Sequence, residues 1–460
     1  MIIGTTPNTP SALRPPLRLL ARVAAILLGV TIIAGLAVTP ATVVKGATRI
    51  PLTLATYGDP VLEGEVFKDI KAAFEKQYPQ YELKIQITPY GEYPSKVLTL
   101  FLGGQPPDVF QTWAQYKPSW VQNGMLMDLT KRVESSSVAN LSQFIPPAQE
   151  SVRYQGKIWG TPFDFSAMIW FANLDLLDEA GLPVPPMNWT VDDLEKAATK
   201  ITRPEAGVWG TMNPVFWGGL NNLQWTYNYT GHYWLTNDGR DVAVDDAGTA
   251  KMLRFWYNLV WNHKAAPPPT LTLTAERNEW AGYVGLWEGW LSYFQRLNAA
   301  LEQRQAKGQS MFRWTVLPFP AGPYGQFDFA QGHMWSIAAN NLHPDDAWKL
   351  CEWLASREAE EIFIKHRRVQ PMRPDARLWE LWLNFLPAKQ AQTLQVWILK
   401  NLYGAGIVRN FNYWPTYNEM AGIMGAHLYS IIADHKPIEN EMKAAADEMR
   451  KILAREAKRK

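Results

Sequence analysis

The sequence predicts an α/β architecture built on a mainly parallel sheet, and three observations carry that expectation. Strand-like and helix-like periodicities alternate from Ile50 onward. Each helical stretch between two strands is long enough to return the chain for parallel pairing. A chain of 460 residues also exceeds what one core ordinarily holds, so more than one domain is expected.

Residues 50–56 alternate as a first strand, and Tyr57-Gly58-Asp59-Pro60 breaks it. Residues 66–78 place Val66, Ile70, Ala73 and Phe74 at helical spacing, with Pro79 as the stop. Residues 81–87 alternate strictly as a second strand. Residues 93–102 read as a helix ending at Gly103-Gly104, and residues 107–111 as a short buried strand. The β-α-β-α-β order implies helices on both faces of the sheet. Ligands of such sheets bind beyond the carboxyl ends of the strands, which puts Tyr57, Asp59, Gln111 and Trp113 at a ligand-facing edge. Further on, the prolines of residues 317–323 and 370–374 exclude helix, and the Gly/Asn-rich stretch 217–225 favours a loop. Residues 420–432 and 439–457 are the strongest helices of the C-terminal region.

The N-terminal residues carry a separate message. Arg14, Arg18 and Arg22 precede the uncharged apolar run 23–38, which is shorter than the roughly 20 residues a membrane helix prefers. A secretory signal peptide is expected, with cleavage after Ala37, Ala41, Gly46 or Ala47; the alternative is an uncleaved anchor with cytoplasmic arginines. No cysteine follows the run, so N-terminal lipidation is excluded. Location in the periplasm or on the outer face of the cytoplasmic membrane follows.

Composition narrows the chemistry. The net charge of +2 offers no nucleic-acid surface. Cys351 is the sole cysteine; it excludes an internal disulfide and paired-cysteine metal or redox motifs, and reads as a buried inert thiol. Gly404-Ala-Gly406 lacks the later glycine of a dinucleotide loop, and neither a His-Glu-x-x-His helix nor a Gly-x-Ser-x-Gly elbow occurs. Asn-x-Ser/Thr triplets at Asn140, Asn188 and Asn228 stand at chance level. Among 22 Trp, 18 Tyr and 18 Phe, most rings serve packing. Indole N–H groups need partners, so a chain this rich in tryptophan is expected to keep several in a partly wet cleft.

The segment 154–189 contains Tyr-Gln-Gly-Lys-Ile-Trp-Gly-Thr-Pro and then Asn173-Leu-Asp-Leu-Leu-Asp-Glu-Ala-Gly181. It resembles the hinge of the extracellular solute-binding proteins, family 1, that serve sugar ABC importers. Gly104-Gln-Pro-Pro-Asp-Val109, residues 122–129, residues 280–290 and Gln331-Gly-His-Met-Trp-Ser-Ile-Ala-Ala339 follow the family's motif order. Val284-Gly285 departs from the Ala-Met usual there. The resemblance implies a two-lobed periplasmic-binding-protein-like fold (type II), each lobe a mainly parallel sheet flanked by helices. It places hinge crossings near 160–166, 316–324 and 366–373. The implied division is 1–47 signal peptide or anchor, 48–160 first lobe, 161–317 second lobe, 318–368 first lobe again, and 369–460 second lobe with the C-terminal helices.

The implied function is capture of a carbohydrate, preferentially an oligosaccharide, and delivery to the membrane permease subunits of an ABC importer. The chain is expected to act as a monomer, without enzyme activity, cofactor, metal or nucleic-acid partner. Alternatives are a glycerol-phosphate-type polyol as ligand, a receptor that signals to a membrane sensor, and a secreted glycoside hydrolase. The last needs two carboxylates about 5–10 Å apart, for which Glu288 with Asp164 or Glu92 are the candidates. Candidate ligand residues are Asp59, Trp113 and Glu92 from the first lobe, and Asp164, Ser166, Trp217, Trp225 and Trp290 from the second. Trp290 stands at the family's sugar-stacking tryptophan. Gln331, His333 and Trp335 lie beside the second crossing, and Arg409, Tyr413 and Trp414 in an aromatic loop. Each has a plainer role open to it: rings in cores, aspartates in turns, a satisfied histidine, an arginine in an ion pair, and Glu288 on an exposed helix end. Lys365-His-Arg-Arg368 reads as a solvated helix end.

Overall fold

Strands of two separate sheets alternate along the chain, so the polypeptide must cross from one sheet to the other more than once. The computed structural model describes residues 49–60, 63–213, 219–385, 408–411 and 413–458. In the first sheet β1 (Ile50–Tyr57) lies between β2 (Tyr81–Thr88) and β3 (Val109–Thr112), all parallel. The intervening helices Gly64–Gln77 and Tyr93–Leu102 bury Val66, Phe67, Ile70, Phe74 and Val97, as the helical spacing predicts. A small hairpin, β4 (Arg153–Tyr154) with β5 (Lys157–Ile158), precedes β6 (Thr161–Pro162) at the far edge of this sheet.

The second sheet is centred on β7 (Ser166–Asn173), in which every residue after Ser166 is buried. Its other strands are β8 (Trp209–Thr211), β9 (Val284–Trp290), β10 (Trp314–Leu317), β11 (Asp328–Gln331) and, after β12 (Met334–Ile337) has returned to the first sheet, β13 (Val408–Asn410). The two-lobed α/β expectation holds, but the second sheet is not mainly parallel. β7 runs antiparallel to β9, β10 and β11; only β8–β9 and β11–β13 are parallel. The cause is topological. β7 carries the chain away from the crossing and β11 carries it back, so as neighbours they must oppose.

The chain leaves the first sheet between β6 and β7, across Phe163-Asp164-Phe165. It returns between β11 and β12, across Gly332-His333. The second crossing is therefore not at 316–324, because β10 and β11 both pair with β7. Nor does the chain cross at 366–373. Met372 accepts from the Ile145 N–H and Arg373 donates to the Val138 carbonyl, both in the first lobe. Pro371 and Pro374 lie in an irregular connection after the helix Arg357–Lys365 and do not redirect the chain to the second sheet. Residues 328–331 thus belong with the second sheet and 370–373 with the first, against the expected boundaries.

Residues 219–230 form a helix where a loop was expected. Its buried asparagines find partners through their side-chain oxygens. Asn222 accepts from the Trp234 indole N–H at 2.7 Å, and Asn228 accepts from the Phe327 N–H at 2.8 Å. The C-terminal helices Tyr417–Ala433 and Ile438–Ala457 pack with this region through Met420, Met424, Leu428, Met442 and Met449. Cys351 is buried and free, and burial pushes its thiol up to about 12, so it is unreactive at neutral pH. Among the described residues no helix is long and apolar enough to cross a membrane; residues 1–48 lie outside them.

Candidate functional site

The ends of β1, β3, β9 and β11 converge on the crossings, and the candidate site is built on that edge. Trp113 follows β3 and is only 3% exposed. Tyr93 stacks on it at 5.6 Å and 22°, and Tyr90 stacks on it at 4.5 Å and 19°. Tyr57, at the end of β1, meets both Trp113 and Tyr90 edge-on, at 5.0 and 5.3 Å. The Trp113 indole N–H is buried without a partner.

The two crossings are tied at their closest approach. Asp164 Oδ1 accepts from the His333 backbone N–H at 2.8 Å and lies 2.6 Å from His333 Nδ1. Burial works to raise the Asp164 carboxyl, but His333 and then Arg368 outweigh it and hold it below the ordinary carboxylate range. Gly332 sits between: a Cβ there would stand 2.6 Å from the Asp164 carbonyl oxygen and 2.7 Å from Ser151 Cβ. Ser166 accepts from the Ser292 N–H at 3.3 Å, and Gln331 accepts from the Tyr413 hydroxyl at 2.8 Å. Trp290 closes β9 beside Met168 and is half-buried.

Arg368, read from sequence as solvated, is largely buried. The helix Arg357–Lys365 ends with Arg367 at φ 57°, the Arg367 N–H bonding Ile364 O and the Arg368 N–H bonding Phe363 O. That C-terminal turn swings the next side chain inward. Its guanidinium lies 4.6 Å from the Tyr57 ring centre and 5.4 Å from that of Phe163, with Glu63 at 2.9 Å. A non-glycine residue in the left-handed position hid this turn from sequence reading.

Several expected site residues lie elsewhere. Trp225 is fully buried among Trp170, Trp256 and Phe319, and Trp335 is buried against Phe163. Both rings were better used in packing than held in a wet cleft. Trp414 donates to Met420 Sδ at 3.2 Å and leans on Tyr417, so it covers a helix start. Asp59 is exposed in the turn after β1, and its backbone carbonyl accepts from the Glu63 N–H. Glu92 is exposed beside the helix Tyr93–Leu102. Trp217 lies outside the described residues; Arg409 is on β13, and its side chain lies outside what is described.

Glu288 is not on a helix end. It lies on β9 opposite Trp170, accepting from the Trp225 N–H at 2.8 Å and from Asn221 Nδ2. Burial pushes its carboxyl up to about 8, so it is a neutral acid at pH 7. Both its oxygens are engaged within the second lobe, which makes it a structural acid.

The lobes also touch away from the crossings. Asn418 Nδ2 donates to Gln115 O at 3.1 Å, and Gln122 Nε2 to Glu456 Oε2 at 3.1 Å. A separate hollow of about 310 Å³ beside Tyr78 and Trp353 has its arginines, Arg357 and Arg373, already paired to Asp375 and Glu360. Among the described residues no cluster of three or more His, Cys, Asp or Glu suits a metal ion.

Residues 58–361 match the family described as bacterial extracellular solute-binding protein. An uncharacterized ABC transporter extracellular-binding protein of Pyrococcus horikoshii is 28% identical over 252 residues, 54% of this chain and 56% of that one. An ABC substrate-binding protein of Listeria monocytogenes, solved with cycloalternan, superposes with a TM-score of 0.76 at 20% identity, covering 88% of this chain and 99% of that chain. A maltose-bound protein of T. maritima gives 0.69 at 21%, covering 88% and 100%. The match takes in strands of both sheets and both described crossings, and the chain belongs to the bacterial extracellular solute-binding protein family.

Proposed function

We propose that this exported chain captures a neutral carbohydrate, preferentially an oligosaccharide, between its lobes and hands it intact to the permease subunits of an ABC importer. The observation that carries this reading is the aromatic wall Tyr57–Tyr90–Trp113 standing beside the Asp164–His333 pair. Sugar C–H faces pack on such rings while rim hydroxyls bond to a carboxylate. The named relatives that hold cycloalternan and maltose support a saccharide. Arg368, the cation over Tyr57, is already paired with Glu63 and so needs no anionic ligand.

The test is a thermal melt of purified protein against neutral oligosaccharides, with glycerol 3-phosphate alongside, and mass spectrometry of any copurified ligand. A saccharide at about 100 times its Kd adds about 2.7 kcal/mol and raises Tm by several degrees. A shift with glycerol 3-phosphate alone, or release of reducing sugar from a bound oligosaccharide, would overturn the reading.

A further inference from the structure

We propose that the outer face of Tyr90, rather than Trp113, is the ring on which a saccharide lies in the first lobe. The inference rests on the carbohydrate reading above and assigns the contact to a residue that no sequence motif marks.

Trp113 has no face to offer. Tyr93, 1% exposed, covers its inner side, and Tyr90, 59% exposed, covers its outer side. The base of the stack is pinned: the Tyr93 hydroxyl lies 3.1 Å from Ala55 O and 2.8 Å from Gln111 O, and accepts from the Gln111 N–H at 2.9 Å. Tyr57 props the edges of both upper rings. Tyr90 itself sits in a tight turn, in which the Glu92 and Tyr93 N–H groups both bond the Pro89 carbonyl. The outermost ring is thus held in one orientation at the carboxyl end of β2, where ligands of such sheets bind.

The stack also borders the second crossing, where the His333 ring lies 6.0 Å from Tyr57 and 6.1 Å from Trp113. The Tyr90 phenol is raised, chiefly by desolvation and then by Tyr57, Tyr293, Tyr116 and Asp164, although its surface is open. Tyr293 begins the second-lobe helix Tyr293–Ala306, and Asp164 lies in the first crossing, so the groups around Tyr90 come from both lobes and the hinge. Asp164 uses Oδ1 for both His333 contacts, which leaves Oδ2 for a sugar hydroxyl.

The test uses the full exported chain and maltotriose, cellotriose and raffinose as probes. Calorimetry of the wild type first establishes which of them binds. For that sugar, Y90F should keep affinity within about threefold, since the ring face remains, and Y90A should lose about tenfold or more. Hydroxyl-radical footprinting gives a second readout. Tyr90, Tyr324 and Tyr429 are 59%, 53% and 54% exposed, so all three should be oxidised in the free protein. The sugar should protect Tyr90 alone. If the wild type binds but Y90A matches it, or Tyr90 stays as reactive as Tyr324, the assignment of Tyr90 fails while the carbohydrate reading stands. If the wild type binds none of the three, both fail for these sugars and the Tyr90 assignment is withdrawn.

Discussion

His333 approaches one oxygen of Asp164 twice, through its backbone N–H at 2.8 Å and its ring Nδ1 at 2.6 Å. The two residues occupy different crossing strands, so this contact fixes the strands relative to each other where the lobes join. Asp164→Ala would leave the buried His333 N–H unpaired and should cost about 1–3 kcal/mol at pH 7. The Asp164 carboxyl is held below its ordinary value of 3.8 in the folded protein. Its contribution is therefore complete above pH of about 4 and is lost as pH falls through the folded value. Urea titrations of wild type and D164A below pH of about 4 should show a gap that narrows on acidification (a range set by about 3.9 for unfolded Asp). A gap that widens in acid would contradict this account.

Arg368 and Glu63 form the other buried charge pair of the hinge region, with side chains 12% and 22% exposed. Arg368→Ala removes the cation over Tyr57 and Phe163 and leaves Glu63 without it. A loss of about 2–4 kcal/mol is expected, and R368A/E63Q should recover part of it because the carboxylate that faced the guanidinium is neutralised. Chemical denaturation of the four proteins of this cycle checks the prediction; a double-variant loss equal to the sum of the two single losses would mean that the pair does not couple.

How much of this was legible in the sequence depended on where the deciding contacts lie. The β-α-β-α-β start was readable because residues 50–102 carry their periods locally, with Ile70 and Phe74 on one helix face and Leu83 on an alternating strand. β11 was not, since its pairing with β7 joins residues far apart in sequence. The helix Gly219–Thr230 was hidden because Asn222 and Asn228 are stabilised by Trp234 and Phe327, partners that composition cannot supply. In the site, the strand-end rule placed Trp113 at the right edge but could not say which of its faces was covered. Tyr90 was not named from sequence, although a ring two residues past a strand end was its one available signal. Trp335 was drawn into the site by its nearness to His333, yet its ring is buried against Phe163 and Phe363.

Gly332 and Gly422 make a contrasting pair. A Cβ at Gly332 would collide with the Asp164 carbonyl oxygen at 2.6 Å, whereas one at Gly422 would meet nothing within 4 Å. Gly332→Ala should force the two crossings apart, costing about 1–3 kcal/mol. It should also shift the radius of gyration of the ligand-free protein in small-angle scattering. Gly422 lies within the helix Tyr417–Ala433, so Gly422→Ala should add about 0.5–1 kcal/mol by restricting the unfolded chain. Melting curves that rank the two variants the other way would refute the steric reading of the hinge.

Glu288 supplies a prediction with the opposite pH sign to Asp164. Its folded value, raised to about 8 from 4.5, means that the native state keeps a proton the unfolded chain gives up. Stability is then highest below the unfolded value and declines as pH rises from about 4.5 toward 8. Glu288→Gln removes the titration while keeping an oxygen to accept from Trp225, and Asn221 can turn its own carbonyl toward the new amide. At pH 5 the variant should lie within about 1 kcal/mol of the wild type. At pH 8 it should be the more stable of the two, by on the order of 2 kcal/mol. Paired denaturation curves at the two pH values decide it. If the wild type gains on the variant as pH rises, Glu288 is ionised in the folded protein and its oxygens are answered by more than two neutral N–H groups.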